Sequence, residues 1–550
     1  MAAQFNSPEQ KWNFEIPPEP VAESRIREGG RADVIVVGAG TAGTFAAVAA
    51  AEEGARVIVL QKGGQVRTFG SGTGVFGAQV QCENGIWFQP DEWINGMYKE
   101  ANGYAQRRYL EAIVYNSGKA VDMVHRLRDR YRDASFGQFT VPHRGEFSGP
   151  SVAWTSEDQA RFDGVARDYV VNPALIRGLT DIAVRDLGVQ YYFNTPGYYL
   201  EKDSAGRVVS IIARAAGAED GFLRFTADRG IILACGDIIA DPDMLYKYCP
   251  FSKDLVCRVV ADDNTGDGHK MILWAGGRMF QGPFQQAIHF DPSCLPEGDA
   301  PGSGQPWMAV NALGRRYQNE DNKYFMIANE CTLQPDHVRW QIFDSSHHEN
   351  WNKFSTSMMR GALATKLSGM TWEDAMEDAL SRGAVLQADT LEELAAKMGF
   401  EGDIRECFLA ECQRYQRFVE QGEDEDFKKD PATLRYTPVK TPPFFAVKRR
   451  AQPIHYADGA FVDVNMQVVD GRDAPLGGGG LYAVGNVAHG MFGPDYPQNP
   501  GGMTSGRCFT SGYIAGKHAV GALPDWKKEF AFPPQGVKTQ KFTPYITQFQ

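Results

Sequence analysis

No two of the nine cysteines stand in a CxxC or CxxCH spacing, which excludes a zinc knuckle, an iron–sulfur run and a c-type haem site. Cys82, Cys235, Cys249, Cys257, Cys294, Cys331, Cys407, Cys412 and Cys508 are scattered, a pattern that fits a reducing cytoplasm better than a disulfide framework. An excess of basic residues is also missing. Lys and Arg number 56 against 68 Asp and Glu, giving a net charge of −12 and a pI near 5.4. That balance argues against nucleic acid or an anionic membrane as the main partner. No basic segment followed by an apolar core opens the chain, so no secretory or twin-arginine leader is expected. The apolar stretch Val34 to Ala51 is broken by Gly38, Gly40 and Gly43 and followed by Glu52 and Glu53. It reads as a buried strand running into a helix, not as a membrane span. His269, His337, His347 and His348 carry no ligand spacing, so they read as structural or surface residues and no metal is expected. His489, close to Tyr496 in sequence, reads as structural ahead of pocket-lining. Repeats and low-complexity tracts are absent.

What is present is a chain of 550 residues, 43% hydrophobic and 23% charged, with 59 clustered glycines. That length calls for two or three domains. Residues 1–30 are polar and proline-bearing and read as an N-terminal arm. From Arg31 the pattern runs strand (Ala32 to Val37), glycine turn, helix (Thr41 to Glu53), strand (Arg56 to Leu60), which is a βαβ unit. A second strong strand, Gly230 to Ala234, ends in the tight turn Cys235-Gly236-Asp237. Gly480 to Asn486 is strand-like, and Gly501 to Val520 is a helix candidate. Between Met279 and about Thr441 the pattern is less regular, with acidic helical stretches at Thr390 to Met398 and Asp403 to Glu420. The acidic run Glu423 to Asp426 reads as a solvated turn. The domain expectation is therefore 31–278 and 442–522 for two parts of one domain, 279–441 for an inserted domain and 523–550 for a surface-wrapping tail.

Gly38-Ala-Gly40-Thr41-Ala42-Gly43 follows a strand and opens a helix. The first glycine permits the tight turn, the second lets backbone approach a pyrophosphate, and the third allows close helix–strand packing. The helix N-terminus offers free N–H groups to the phosphates. A lone GxGxxG is weak; inside a βαβ unit it points to a dinucleotide. The second strand ends in Gln61 and Lys62 where an acidic residue normally meets the adenosine ribose. Gln61 offers that ribose a neutral hydrogen bond instead.

Further motifs follow in order: Thr68-Phe-Gly70-Ser71-Gly72-Thr73-Gly74, Asp263-Asn-Thr-Gly-Asp267-Gly268, Asn311-Ala-Leu-Gly-Arg-Arg-Tyr-Gln-Asn-Glu320 and Gly480-Leu-Tyr-Ala-Val-Gly485. Together they resemble the fumarate reductase/succinate dehydrogenase flavoprotein family, which also holds the 3-ketosteroid Δ1-dehydrogenases. The resemblance runs from about Asp33 to Ala519. It implies an α/β fold: a Rossmann-like, glutathione-reductase-type FAD-binding domain with an inserted α+β capping (catalytic) domain, and hydride exchange through flavin N5. It places Cys235, Gly236, Asp267, Gly485, Asn486, Gly501, Gly502, Met503 and Thr504 at FAD with the glycine loops. Members that attach FAD covalently use a histidine in the loop matched by Thr68 to Gly74. None stands there, so the expectation is non-covalent FAD.

In fumarate-type members a cap arginine delivers the proton, five residues after the Asn of the G-[KR]-R-[FY]-x-N-E motif. Five residues after Asn319 stands Tyr324, and ketosteroid dehydrogenases likewise carry a tyrosine there. A core tyrosine in a charged loop is the plain alternative; the register favours an acid–base role, against an ordinary phenol pKa near 10. The carboxylate-binding arginine of G-A-N-R-L-G-G is matched by Tyr496 in Gly493-Pro-Asp-Tyr-Pro-Gln-Asn-Pro-Gly501-Gly502. A family histidine forty residues earlier is matched by Tyr456. His289 in Gln286-Ala-Ile-His-Phe290 resembles the histidine of Q-x-H-P-T, with Phe-Asp replacing Pro-Thr, and the family's Thr-Glu pair upstream of Asn311 is absent. Arginine grips a carboxylate through two charged prongs, whereas tyrosine offers one neutral hydroxyl and a flat ring. A dicarboxylate without its guanidinium partners is a buried uncompensated charge, costing several kcal/mol.

The expected substrate is therefore bulky and neutral, an enone of ketosteroid type, with Tyr324, Tyr496, Tyr456 and His289 at the site. Phenols aimed at a ketone oxygen stabilise a developing enolate. Alternatives are reductive cleavage of a benzylic or allylic C–O bond in a polyphenol-like compound, a fumarate-reductase-like enoate reductase, or an electron-transfer subunit without its own substrate. No second dinucleotide fingerprint marks an NAD(P)H site, so the sequence leaves the electron partner and the reaction direction open.

Overall fold

The computed structural model describes residues 11–68, 72–131, 138–140, 151–155, 171–217, 221–252, 255, 263–290, 300–322, 324–351, 353, 371–494, 496 and 501–542. Among these residues the strands form three sheets, numbered here along the chain. The first has seven strands: β1 (Ile26–Val37), β2 (Val57–Leu60), β6 (Gln190–Tyr192), β7 (Gly197–Lys202), β8 (Val208–Arg214), β9 (Phe222–Leu233) and β15 (Leu481–Ala483). Its order is β6-β2-β1-β9-β8-β7, with β15 also pairing β9. The inner strands are parallel, with Val37 beside both Leu60 and Leu233. Their near-continuous runs of Val, Ile and Leu are what a strand covered on both faces requires. β1 starts six residues before the expected Ala32, inside the stretch read as an arm, because Ile26 to Arg31 find a ladder partner in Phe222 to Thr226. Gly29 makes room there for the Phe225 ring, which a Cβ would meet at 2.7 Å.

Helix α1 (Thr41–Ala51) packs along α6 (Met503–Ala519). The approach is at backbone distance: a Cβ on Gly512 would lie 2.2 Å from the Ala42 carbonyl oxygen, and one on Gly516 2.4 Å from that of Ala46. Phe45 stacks on Phe509 at 4.2 Å. α2 (Arg107–Tyr131) packs on α6, while α3 (Asp267–Trp274) packs on β7. No helix among the described residues is long and apolar enough to cross a membrane. Residues 530–542 lie back along this body, with Phe530 against Tyr115 and Phe542 edge-on to Trp93 at 5.4 Å.

The second sheet has five strands: β10 (Gln286–Phe290), β11 (Met308–Val310), β12 (Val338–Phe343), β13 (Leu386–Ala388) and β14 (Phe444–Tyr456). β14, thirteen residues long, is its spine and pairs with β10, β12 and β13. Helix α4 (Tyr324–Thr332) and helix α5 (Gly402–Gln421) cover it, α5 through Phe408, Cys412, Tyr415 and Phe418. Of residues 423–426, read as a solvated turn, Glu423, Glu425 and Asp426 are exposed and Asp424 is the exception. Its side chain is buried and bonds Arg316 at 2.9 Å, while Glu320 meets the same guanidinium at 3.0 Å. Arg316 lies inside the domain and needs a second counter-charge besides Glu320, because Lys429 adds another buried cation 3.5 Å from that carboxylate. The third, small sheet joins β3 (Gly72–Gly74), β5 (Ser151–Thr155) and β4 (Gln138–Thr140).

The chain passes from the first body to the second sheet and back through residues 279–286 and 456–460, and the two passages are themselves paired. Gln286 lies beside Tyr456, Ala457 N–H donates to the Gln285 carbonyl at 3.0 Å, and Phe280 N–H donates to that of Gly459 at 2.9 Å. A bridge between Met279 and Ala460 closes the ribbon.

Candidate active site

The glycine turn divides its labour sterically. Gly38 has φ +104°, and a Cβ on it would lie 2.3 Å from the Ala234 carbonyl oxygen. On Gly43 a Cβ would lie 1.8 Å from the Gly38 carbonyl oxygen. Gly40 is different: among the described residues a Cβ on it would meet only the Arg67 carbonyl oxygen, at 3.4 Å. Two of the glycines therefore serve the fold, and the third leaves backbone open to an incoming group. Beside it, the N-terminus of α1 has no side-chain cap among the described residues, so its first N–H groups are available to an anion. The hydroxyls of Thr41 and Thr68 touch at the rim, and the buried Thr73 hydroxyl finds no partner among the described residues. An adenine dinucleotide fits this cradle. Gly70 and Ser71 lie outside the described residues.

Gln61 is turned inward: its Oε1 accepts from the Ala39 N–H at 2.9 Å and so braces the turn. Lys62 donates to Asp267 and to the Thr265 hydroxyl, both at 2.9 Å. This places Asp267, first residue of α3, in an ion pair with the other predicted contact. Cys235 donates to the Val37 carbonyl, and burial pushes its thiol up to about 12. Gly236, at φ +78°, packs on Asn264.

A second uncapped helix start faces the same region. α6 begins at Met503 after Gly502, which has φ +75°. Gly74 N–H donates to the Gly502 carbonyl at 2.9 Å, and a Cβ on Gly74 would meet the Met503 sulfur at 2.5 Å and the Gly501 carbonyl oxygen at 3.0 Å. Gly485 N–H donates to the Ser511 hydroxyl, and Asn486 accepts from Arg507. The loops predicted around the cofactor thus converge on the two helix starts.

The substrate candidates meet on α4. Tyr324 opens this helix, and its hydroxyl accepts from the Phe290 N–H at 3.0 Å. Its ring stands edge-on to His289 at 5.4 Å, Phe290 at 5.7 Å and Phe325 at 5.4 Å. Tyr496 reaches the same Phe325 ring at 4.6 Å and Phe492 at 6.0 Å. Burial pushes the Tyr496 phenol up, against hydrogen bonds with Thr504. The His289 imidazole is held down to about 3 by burial, so it is neutral near pH 7. Tyr456 does not join this group. It faces the first body, with its hydroxyl 2.8 Å from that of Ser252 and its N–H donated to Asp237. The residue that joins is His455, one step back on β14, where strand alternation turns the side chain to the other face. His455 lies edge-on to Tyr496 at 5.8 Å and 3.5 Å from the Thr504 hydroxyl. It too is pushed down to about 3, by burial and then by Arg507 and His289. His489 pairs with Asp458 at 2.8 Å and stacks on Phe280 at 4.0 Å, inside the first body.

The chain resembles known flavoproteins over most of its length. The profile of the FAD binding domain family matches residues 33–502. Vinyl phenol reductase of Lactiplantibacillus plantarum is 25% identical over 517 residues, covering 89% of this chain and 96% of that protein. The 3-oxosteroid 1-dehydrogenase of Mycolicibacterium smegmatis is 27% identical over 578 residues, covering 88% and 96%. Among solved structures, the open conformation of a flavocytochrome c3 fumarate reductase superposes with a TM-score of 0.67 at 21% identity, over 90% of this chain and 79% of that one. The chain belongs to the FAD binding domain family: it is an FAD-dependent oxidoreductase on the fold of the fumarate reductases and ketosteroid dehydrogenases.

Proposed function

We propose that the protein moves a hydride between flavin N5 and one carbon of an activated C=C or CH–CH bond in a bulky neutral substrate. The substrate carries a ring oxygen, ketone or phenol, conjugated to that carbon pair. One observation carries the reading: Tyr324 and Tyr496, from distant parts of the chain, meet the same Phe325 ring at 5.4 and 4.6 Å, beside an uncharged His289. Flat rings and neutral hydrogen-bonding groups suit an apolar ring system better than a dicarboxylate.

FAD, held without a covalent bond, supplies the two-electron chemistry when bound. Tyr324 handles the proton at the carbon neighbouring the hydride-exchanging one. Its oxygen, already accepting a backbone N–H, is positioned to carry developing negative charge. Tyr496, steadied by Thr504, donates to the ring oxygen of the substrate and stabilises the enolate or phenolate that forms there. His289 and His455 line the apolar wall as neutral donors or acceptors. The second sheet, with residues 279–441 and the β14 spine, acts as the cap over the substrate. Support comes also from the names of two relatives, a vinyl phenol reductase and a 3-oxosteroid 1-dehydrogenase; both name a ring-borne oxygen. The first favours the reductive direction.

The test is to reduce the bound flavin anaerobically and add 4-vinylphenol, a steroid enone, a cinnamate, a benzylic ether or fumarate. Rapid reoxidation by the enone or the vinylphenol is expected. Rapid reoxidation by fumarate overturns the neutral-substrate reading, and reoxidation by the benzylic ether alone replaces it with C–O cleavage.

A further inference from the structure

One buried cation has no part in the chemistry above. Arg507 lies on the second turn of α6 and is fully buried. Its Nη2 donates to Asn486 Oδ1, and its guanidinium carbon sits 5.0 Å from the centre of the Phe492 ring. Nε and Nη1 have no hydrogen-bond partner among the described residues. Burying a guanidinium with two unpaired nitrogens is costly unless an acceptor or an opposite charge arrives. Phe492 and Asn486 hold the plane in place, so the side chain is preorganised for that arrival.

The surroundings identify what arrives. Asn486 belongs to the Gly485–Val487 turn, and Gly485 leans on α1 so closely that a Cβ on it would lie 3.0 Å from the Ala42 Cβ. Arg507 is therefore wired to the cofactor cradle through Asn486. It also sits one turn from the uncapped start of α6, whose dipole adds to the same positive field. A flavin that takes up two electrons and one proton keeps one net negative charge on its ring. A desolvated guanidinium nearby makes that state more favourable.

We propose that Arg507 is a positioning residue for the flavin: it supplies the positive charge that stabilises the reduced ring and so sets the reduction potential. The inference rests on the cofactor loops; the same guanidinium also acts on His455 and Tyr496 of the ring cluster, so its test reads the flavin and not turnover.

The experiment uses holoprotein with Arg507→Gln and Arg507→Lys. Flavin content, midpoint potential against a reference dye, and the dissociation constant for sulfite are measured; sulfite adds to oxidised flavin and leaves negative charge on the ring. Arg507→Gln is expected to lower the reduced-to-oxidised ratio at fixed potential at least tenfold, about 30 mV for a two-electron couple, and to weaken sulfite binding at least tenfold. Arg507→Lys, keeping the charge, is expected to change each less than tenfold. A Gln variant that keeps FAD and shifts both readouts less than tenfold overturns the proposal. If the Gln variant does not hold FAD, the Lys variant decides. A shift below tenfold upholds the charge assignment; a tenfold loss, or loss of flavin there too, overturns it.

Discussion

Replacing Tyr324 by Phe removes one oxygen and keeps the ring, so its two consequences can be separated. The first is structural. The hydroxyl accepts the Phe290 N–H at 3.0 Å in a buried setting; deleting it strands that donor, at a cost of about 1–3 kcal/mol. For a domain of this size each kcal/mol lowers the melting temperature by roughly 2–4 °C. The rings of His289, Phe290 and Phe325 still pack on the new phenylalanine, so no further cavity opens. The second is chemical. If the phenol handles the proton, turnover falls by about 10²–10⁴-fold, far more than a loosened strand end produces. The assay pairs thermal unfolding of the holoprotein with the rate at which the active compound of the panel reoxidises the flavin. The variant should keep its FAD, because the glycine turn and the two helix starts lie elsewhere. Unchanged turnover refutes the proton role, even if stability falls as expected. Unchanged stability with lost turnover refutes the structural account of the Phe290 hydrogen bond.

Asp424→Asn keeps the volume but leaves Arg316 and Lys429 to share the one carboxylate of Glu320, and urea unfolding should show a loss of about 3–5 kcal/mol; under 1 kcal/mol means the network is not the cap's keystone. In the same cluster Lys429 is pushed down to about 8 by burial, against an ordinary value of 10.5. The folded protein then binds fewer protons than the unfolded chain between those values, so stability should rise with pH across that window; Lys429→Met should flatten the rise. His289 and His455 are held down to about 3 against 6.5. The unfolded chain again binds more protons in between, so stability should fall as pH drops from 6.5 towards 3, with a shallower slope in His455→Phe. Gly43→Ala drives a Cβ to 1.8 Å from the Gly38 carbonyl oxygen and should yield little folded protein. Gly40→Ala should fold and lose FAD affinity, read as flavin content after gel filtration.

The βαβ unit was legible because its signals are local: a run of Val and Ile, a glycine turn and an alanine-rich helix, with the helix start found at Thr41 and its end within two residues. The order of the later motifs carried the cofactor. Long-range pairing was not legible. Nothing in residues 26–30 announces a strand until Phe222 to Thr226 supply its ladder. Spacing found the right stretch of β14 but pointed to Tyr456, while alternation turns His455 to the ring cluster; one residue reverses the face. Asp424 looked solvated because charge runs usually are, and only the fold reveals the buried Arg316 it answers. Arg507 had a weak signal, an arginine in a helix whose neighbours are mostly small or apolar.

The paired passage between the two bodies has a mechanical consequence. Two crossings joined rung by rung, from Met279–Ala460 to Gln286–Tyr456, behave as a strap and not as two independent tethers. Such a strap resists sliding along its length, since sliding breaks several hydrogen bonds together, and yields most readily by flexing about an axis in its own plane. Movement of the second sheet is thereby channelled into a single swing. Because His455 is the penultimate residue of β14, immediately before this strap, that swing leaves it almost at the pivot. Tyr324, whose hydroxyl accepts from the Phe290 N–H at the far end of β10, lies several rungs beyond that pivot, so such a swing displaces it more than it displaces His455.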